Sequence, residues 1–333
     1  MSLYSRRFFV TGGFSLIACH RSLKDFEFSP ASSSKEGLAV TYFSVGCVKI
    51  RFGDRSILTD PFFSHLPILQ VAFGEIDSDP EQYNPYLDQI EGIDAVLVGH
   101  SHYDHTLDLP VVASRLAPHA RIFGSQTLKH TYAVSNLPRP IIPVNEQLAS
   151  QNTHGTWSYI LEKNIRILPI QSGHPTQYLF FHLYTEKRTI DRRTLPTRSD
   201  DYQEGITIAY LVDFLDPQTG DIQARVYIQT SSTGFPTGSF PKDILDEHPV
   251  QVAILGMDCA NIKVKNKPSI IDFLNPSAVV FCHWEDFFRP KTKEPKSIVR
   301  VDMHKLKEAL PSTEERTYIF PYWDRTYVFP IDE

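Results

Sequence analysis

Three histidines and an aspartate lie within six residues of this 333-residue chain, in the segment His100-Ser101-His102-Tyr103-Asp104-His105. The segment directly follows the run from Asp94 to Gly99, whose apolar character is typical of a strand buried on both faces. Neutral imidazoles and carboxylates are ligands that Zn²⁺, Mn²⁺ and Fe²⁺ accept. The pattern therefore predicts a metal site at the end of a buried strand. Its alternation allows His100 and His102 to face one metal while Asp104 and His105 reach a second.

Apolar runs recur along the chain and predict further strands. Three of them open a meander at 38–43, 47–52 and 56–59, and later runs of the same kind lie at 165–170, 206–214, 224–229, 252–255 and 278–281. Helical patterns are fewer and lie at 109–116, 126–132 and 303–310. Strand-rich halves with interspersed helices predict an α/β sandwich in which helices cover packed sheets.

The net charge and the cysteine pattern argue against some classes of function. Lys and Arg number 33 against 39 Asp and Glu, so the formal net charge is −6. This balance argues against a protein whose main role is to hold nucleic acid by its phosphates. The four cysteines are scattered without a CxxC pair, which excludes a Cys-rich zinc module and gives no sign of a disulfide framework.

The histidine segment resembles the HxHxDH hallmark of metallo-β-lactamase-fold hydrolases. Together with Leu58-Thr59-Asp60-Pro61-Phe62, it is similar to the branch of lactonase-like hydrolases and N-acyl-phosphatidylethanolamine phospholipase D. The resemblance extends over about 38–330 and implies an αββα four-layer sandwich with the metals at the edge of the two sheets. It also implies that Asp60 is a carboxylate outside the metal shell that steadies the ligand loops.

The same resemblance implies the remaining metal ligands. His174 follows a predicted strand and matches the third histidine of the family, which would complete a first metal position with His100 and His102. His283 follows another predicted strand and would join Asp104 and His105 at the second position. The implied cofactor is one or two zinc ions, with Mn²⁺ or Fe²⁺ as alternatives.

One family element is missing from this sequence. Where the family has Gly-Asp-Thr with an aspartate that bridges both metals, this chain reads Tyr227-Ile228-Gln229-Thr230-Ser231-Ser232-Thr233-Gly234. Hydroxyl groups, Ser231 or a neighbour, would replace the carboxylate, and the second metal site is expected to be weakened. Three interpretations stay open: a single metal at the three-histidine position, a substitute ligand such as Asp258, or metal binding without turnover.

The expected activity is hydrolysis by a metal-activated water, because a bound metal lowers the pKa of water from 15.7 to about 7. Asp104 is expected to orient that water, and His283 to stabilise developing negative charge if it is not a ligand. Trp284, Phe287 and Phe288 are expected in the pocket wall. The substrate would be a small or lipid-like phosphodiester, ester or lactone. Arginines between Arg188 and Arg198 favour the phosphodiester, since guanidinium groups match phosphate oxygens. The alternative function is a catalytically reduced metal- or ligand-binding lipoprotein.

The N-terminus has the pattern of an export signal. Ser5-Arg6-Arg7-Phe8-Phe9 resembles a twin-arginine signal, and Leu16-Ile17-Ala18-Cys19 resembles a bacterial lipobox with Cys19 as the lipid anchor. The polar stretch 20–37 is predicted to be a flexible tether, and 38–333 the hydrolase domain. These features predict a membrane-anchored lipoprotein on the periplasmic side, with membrane contact only through the anchor.

Overall fold

The computed structural model describes residues 21–176, 182–231, 233–257, 268–299, 301–310 and 316–331. The strands, in chain order, are β1 Leu38–Ser44, β2 Cys47–Phe52, β3 Arg55–Thr59, β4 Ala95–Leu97, β5 Arg121–Gly124, β6 Ile141–Pro143, β7 Ser158–Ile160, β8 Ile165–Gln171, β9 Ile208–Leu215, β10 Ile222–Gln229, β11 Val252–Gly256, β12 Ala278–Cys282, β13 Thr317–Ile319 and β14 Arg325–Phe329. The α-helices are α1 Ile68–Phe73, α2 Pro80–Tyr83, α3 Tyr103–Thr106, α4 Leu109–Ala113, α5 Gln126–Thr131, α6 Asp243–Glu247, α7 Ile270–Leu274 and α8 Met303–Ala309.

The strands form two seven-stranded mixed sheets. One has the order β14-β1-β2-β3-β4-β5-β6 and the other β13-β12-β11-β10-β9-β8-β7. Strand β14 and strands β1 to β3 pair antiparallel in the first sheet, and β3 to β6 pair parallel. In the second sheet β7 to β10 pair antiparallel and β10 to β13 pair parallel. Each sheet therefore has one antiparallel half and one parallel half.

Alternation along the strands divides the side chains between layers. On β4, Ala95 and Leu97 belong to the large core cluster that includes both sheets, whereas Val96 packs in a second cluster with Leu109 of α4 and Leu128 of α5. Successive side chains of a strand point to opposite faces, so one strand contributes to two layers. The two mixed sheets with flanking helices confirm the predicted α/β sandwich of the metallo-β-lactamase type.

The predicted long strands and the three helices are present, with ends shifted by a few residues. Strands β5, β6, β7, β13 and β14 were not expected, and each has only three to five residues. The segment 62–92, which lies outside every predicted strand and helix, contains α1 and α2. Short strands with few apolar residues carry little periodic signal, and pairing with a neighbouring strand creates them.

The segment before β1 packs against the domain, which corrects the predicted flexible tether for its described part. Leu23 and Phe26 are buried in the large core cluster. The Leu23 amide donates to the Pro295 carbonyl at 3.0 Å, and the Ser29 amide donates to the Phe320 carbonyl at 2.9 Å. The segment is therefore attached by apolar burial and by backbone hydrogen bonds to distant parts of the chain.

Within the described residues, the helices are too short and insufficiently apolar for any of them to span a bilayer. The predicted export signal at 1–19, which ends at Cys19, lies outside the described residues.

Candidate metal centre

The predicted ligands lie in loops that follow the carboxyl ends of strands. Within each sheet, these strands run in the same direction. His100 comes shortly after β4, His174 after β8 and His283 directly after β12. Strands β8 and β12 are both parallel to β10. Two antiparallel pairings separate β8 from β10, and two parallel pairings separate β12 from β10. Loops after strands of one direction meet at one edge of the sheet, so residues far apart in sequence converge there.

His100, His102 and His174 form the first group of three. Their ligand nitrogens lie within 4.8 Å of one another. Ring centroids are 4.7 Å apart for His100 and His102, and 4.5 Å apart for His100 and His174. The Nδ1 of His174 donates to the Pro175 carbonyl at 2.7 Å, which leaves Nε2 with the lone pair available to a cation. Three imidazoles in this arrangement can hold a tetrahedral metal with one open position.

Asp104, His105 and His283 form the second group, also within 4.8 Å. The Asp104 Oδ2 lies 3.6 Å from His105 Nε2 and 3.7 Å from His283 Nε2. Ligand atoms of a tetrahedral metal with bonds near 2.1 Å are about 3.4 Å apart, so this spacing suits a cation between them. The rings of His100 and His105 are 3.9 Å apart, which makes the two positions neighbours.

Asp60 fixes the orientation of His105. It is fully buried, its Oδ2 accepts from His105 Nδ1 at 2.7 Å, and its Oδ1 accepts from the Gly99 amide at 2.6 Å. This bond leaves His105 Nε2 directed to the second group, as metal-bound histidines generally require. A side chain at Gly46 would collide with the Asp60 carboxylate, so a glycine is needed there. The structure thus places Asp60 where the family resemblance implies a supporting carboxylate.

Two of these residues have left-handed backbone conformations, with φ of 37° at Asp60 and 57° at His283. Residues other than glycine adopt this region at a cost of about 1–3 kcal/mol, and such strain concentrates at functional sites. The His283 amide donates to the Val45 carbonyl at 2.8 Å, which ties the end of β12 to the first sheet.

The lack of hydrogen-bond partners for several donor atoms fits a bound metal ion. Both nitrogens of His100 and the Nε2 of His105 are buried without a hydrogen-bond partner among the described residues. Buried polar atoms normally have partners, so these nitrogens point to a ligand such as a cation.

The protonation states also suit a metal. Burial lowers the pKa of His102 to about 3 and the pKa of His174 to about 4, and it lowers the pKa of His100 well below its usual range. Burial alone would raise the pKa of Asp104, but His105 and His283 lower it below its usual range. The three histidines of the first group are therefore neutral and Asp104 is ionised at neutral pH, which are the forms that bind metals.

Comparison with known proteins agrees with this geometry. Residues 55–197 match the family model described as a beta-lactamase superfamily domain. This part of the chain is similar to that superfamily. Members of this fold family bind divalent metals, and the two groups described above supply candidate ligands here. A search of curated protein sequences gave no significant match.

Several solved structures resemble the chain at low sequence identity. A possible metal-dependent hydrolase from Veillonella parvula is 13% identical, with 88% of this chain and 100% of that chain covered and a TM-score of 0.51. An isothiocyanate hydrolase from Delia radicum gut bacteria is 13% identical, with 87% and 99% covered and a TM-score of 0.50. Igni18, a metallo hydrolase from Ignicoccus hospitalis, is 16% identical, with 89% and 99% covered and a TM-score of 0.49. The first two share the fold of the superfamily.

The hydroxyl-rich segment after β10 lies against the same site. A side chain at Gly99 would come within 2.6 Å of the Thr230 Oγ1 and 3.4 Å of Asp60. Ser231 is buried, and its Oγ lacks a hydrogen-bond partner among the described residues. Thr230 and Ser231 therefore bring hydroxyl groups, and no carboxylate, to the side of Gly99 and Asp60. Asp258, the predicted substitute ligand, lies outside the described residues.

A third group was not found from the sequence. His174, His182 and Glu204 also bring ligand atoms within 4.8 Å of one another. His182 is exposed and Glu204 is half-buried, and burial raises the pKa of Glu204. Isolated Glu and His residues 22 positions apart give no local signal, because only the path of the loop between β8 and β9 brings them together.

Of the aromatic residues expected in the pocket wall, only Phe287 lies beside the ligands. Its ring centroid is 5.7 Å from that of His283. Trp284 is fully buried in the large core cluster, which corrects its predicted place in the wall. Phe288 packs on Phe287 with ring centroids 4.7 Å apart. Glu285 is fully buried and accepts hydrogen bonds from Tyr42 and the Val45 amide, so it fastens the loop after β12.

Three of the four arginines between 188 and 198 make contacts within their own loop. Arg192 pairs with Asp201 at 2.5 Å, and Arg198 pairs with Asp200 at 3.2 Å. Arg188 donates to the Asp201 carbonyl at 3.2 Å. These guanidinium groups hold the loop together, which weakens the sequence argument that they recognise phosphate.

A polar cleft of about 290 Å³ opens where the loop that carries His174 leaves β8. It includes Gly173, the residue before His174, and the described residues around it are all uncharged. Hydroxyl and amide groups dominate the wall, from Gln151, Asn152, Ser172 and Thr237. Ser172 Oγ also donates to the Ser231 carbonyl at 2.8 Å, so the cleft wall is continuous with the hydroxyl-rich segment. The cleft can offer neutral hydrogen bonds to a ligand.

Proposed function

We propose that this protein is a metal-dependent hydrolase that acts on an uncharged ester or lactone. The observation that carries the proposal is the pair of three-residue groups, His100/His102/His174 and Asp104/His105/His283, which lie side by side with ligand atoms within 4.8 Å in each. The superfamily domain supports hydrolysis as the general reaction. A bound divalent cation supplies Lewis acidity and makes water acidic enough to ionise near neutral pH.

The residues of the chain have distinct roles in this proposal. The three histidines of the first group hold the cation and leave a position open. Asp104 is ionised at neutral pH and lies 3.7 Å from His283 Nε2, so its carboxylate can orient a water molecule and accept its proton. Asp60 keeps His105 in the required orientation through the bond to Nδ1. Phe287 beside His283 limits the access of bulk water.

The ester or lactone is preferred over a phosphodiester for two structural reasons. Arg188, Arg192 and Arg198 are engaged with Asp200 and Asp201. The cleft beside His174 has an uncharged wall of hydroxyl and amide groups. An anionic phosphodiester would gain from cationic side chains there, whereas a neutral acyl compound needs only hydrogen bonds.

A second candidate function is metal or ligand binding without turnover. It is favoured by the hydroxyl-rich segment after β10, where Ser231 stands in the region of the superfamily's bridging aspartate. Loss of that carboxylate is expected to weaken the second position, in which only Asp104 carries negative charge. A single ion at the three-histidine position would still leave an open arrangement suited to hydrolysis.

We also propose that the chain is exported and anchored to the membrane through lipidated Cys19. The support is the order of twin arginine, short apolar stretch and Leu16-Ile17-Ala18-Cys19 in the sequence. An anchored enzyme near a bilayer would meet amphiphilic esters and lactones.

Hydrolysis by metal-loaded protein tests the proposed activity. We expect turnover of neutral ester or lactone substrates to exceed that of bis(p-nitrophenyl) phosphate, and His102→Ala to reduce it by about 100-fold or more because the metal position loses a ligand. The exposed His304 on α8 provides the control, and His304→Ala should leave turnover unchanged. Stoichiometric metal without turnover on any substrate would support the binding function instead, and preferential phosphodiester cleavage would reject the substrate class.

A further inference from the structure

Glu204 lies close to the three-histidine position although it belongs to no predicted motif. Its carboxylate, His182 and His174 bring ligand atoms within 4.8 Å of one another. His174 is shared between this group and the group with His100 and His102. Its Nδ1 donates to Pro175, so a single lone pair on Nε2 must serve whatever cation either group binds. The two groups therefore meet at His174.

The backbone of Glu204 is tied to the turn that carries His100 and His102. The Ser101 amide, between these two histidines, donates to the Glu204 carbonyl at 3.2 Å. The Glu204 amide donates to the Tyr184 carbonyl at 2.7 Å. Glu204 is thus held at a fixed place relative to the first two histidines.

The side chain of Glu204 is held relative to His174 as well. Thr207 Oγ1 donates to Glu204 Oε1 at 2.9 Å, and the Thr207 carbonyl accepts from the Ser172 amide at 3.0 Å. Ser172 lies two residues before His174. His182 is exposed, whereas Glu204 is half-buried, so Glu204 is the member of the group whose position is restrained.

Charge balance gives this carboxylate a role. Three neutral imidazoles contribute no negative charge, so the single carboxylate of Asp104 in the neighbouring group leaves one positive charge of a divalent cation uncompensated in a buried site, which is costly. The superfamily supplies an aspartate after the strand equivalent to β10, but this chain has only hydroxyl and amide side chains and a glycine from Thr230 to Gly234. Glu204 and His174 bring ligand atoms within 4.8 Å, which is longer than the separation of about 3.4 Å in a tetrahedral site, so the Glu204 side chain must approach His174 when a cation binds.

We propose that Glu204 provides the carboxylate for the cation held by His100, His102 and His174, in place of the missing aspartate. The proposal rests on the proposed function only in requiring a divalent cation at this position. The compensating anion then comes from the loop between β8 and β9, which precedes β9 in the sequence. In the superfamily it comes from the segment after the strand equivalent to β10.

Titration of metal-free protein with Co²⁺ tests the proposal, because visible absorption of bound Co²⁺ reports the ligand set as well as the affinity. We expect Glu204→Gln to weaken Co²⁺ binding by roughly 10- to 100-fold and to change the absorption spectrum. The glutamine can retain the hydrogen bond from Thr207, so the fold should persist, and thermal unfolding of the metal-free protein checks this. Glu186→Gln, at an exposed glutamate of the same loop, should bind Co²⁺ like the wild type.

Wild-type affinity and an unchanged spectrum in Glu204→Gln would overturn the proposal. It would also be overturned if Asp258→Asn weakened binding and Glu204→Gln did not, since Asp258 would then be the compensating carboxylate. A different result would reject the proposed hydrolase function. Wild-type protein that binds Co²⁺ through Glu204 but hydrolyses no substrate would reject that function and leave the role of Glu204 as a ligand intact.

Discussion

At the scale of single residues, Asp60 shows how the site depends on a side chain that no metal would touch. Its two carboxylate oxygens serve two donors, His105 Nδ1 and the Gly99 amide. Asp60→Asn keeps the size and tolerates the left-handed backbone, since asparagine adopts that region more readily than most residues. It replaces one acceptor with an amide that donates, so one of the two hydrogen bonds is lost.

We expect Asp60→Asn to lower metal affinity by roughly 10- to 100-fold, because His105 loses its fixed orientation. Competitive titration with a zinc chelator measures this. Asp88→Asn, at an exposed aspartate, is the matched control and should bind like the wild type. Equal affinity in Asp60→Asn and Asp88→Asn would show that Asp60 does not support the metal site.

At the scale of elements, the segment before β1 connects the folded body to the proposed anchor. Leu23 and Phe26 are buried, and the ring centroids of Phe26 and Phe320 are 5.5 Å apart. In the sequence, Cys19 lies only four residues before Leu23. A lipid at Cys19 would therefore hold the domain close to the bilayer, and not at the end of a long tether.

In a bacterial host, we expect Cys19→Ala to move the protein from the membrane fraction to the soluble fraction and to abolish labelling with a radioactive fatty acid. The domain should keep its thermal stability, because the change leaves the buried Leu23 and Phe26 of the segment before β1 in place. Cys47 is buried, so labelling of the wild type should not arise from it. Membrane recovery and labelling that persist in Cys19→Ala would contradict the anchor.

At the scale of the whole molecule, buried histidines make stability depend on pH. Burial lowers the pKa of His65 and His174 to about 4 each and the pKa of His102 to about 3, whereas in the unfolded chain each is near 6.5. As pH falls from 6.5 to 4, the unfolded chain binds protons that the folded protein does not. The free energy of unfolding therefore decreases over this interval.

For metal-free protein we expect a loss on the order of a few kcal/mol between pH 7.5 and pH 4.5, measured by urea unfolding at each pH. Metal at pH 7.5 should raise the melting temperature, since it binds only the folded state. A free energy of unfolding that stays constant over this pH range would show that these imidazoles are not buried as described.

The sequence by itself determined the local features of the structure. Long apolar runs such as 252–255 predict strands because a buried strand needs continuous apolar residues, and the spacing from His100 to His105 predicts ligands because one turn presents them together. Only the tertiary structure determined the contacts between residues in loops that are far apart in the sequence. It placed Glu204 beside His174, paired Arg192 with Asp201 and buried Leu23 in the core. Such contacts join residues whose neighbours in sequence carry no periodic pattern, so only the packing of the two sheets and their loops selects them.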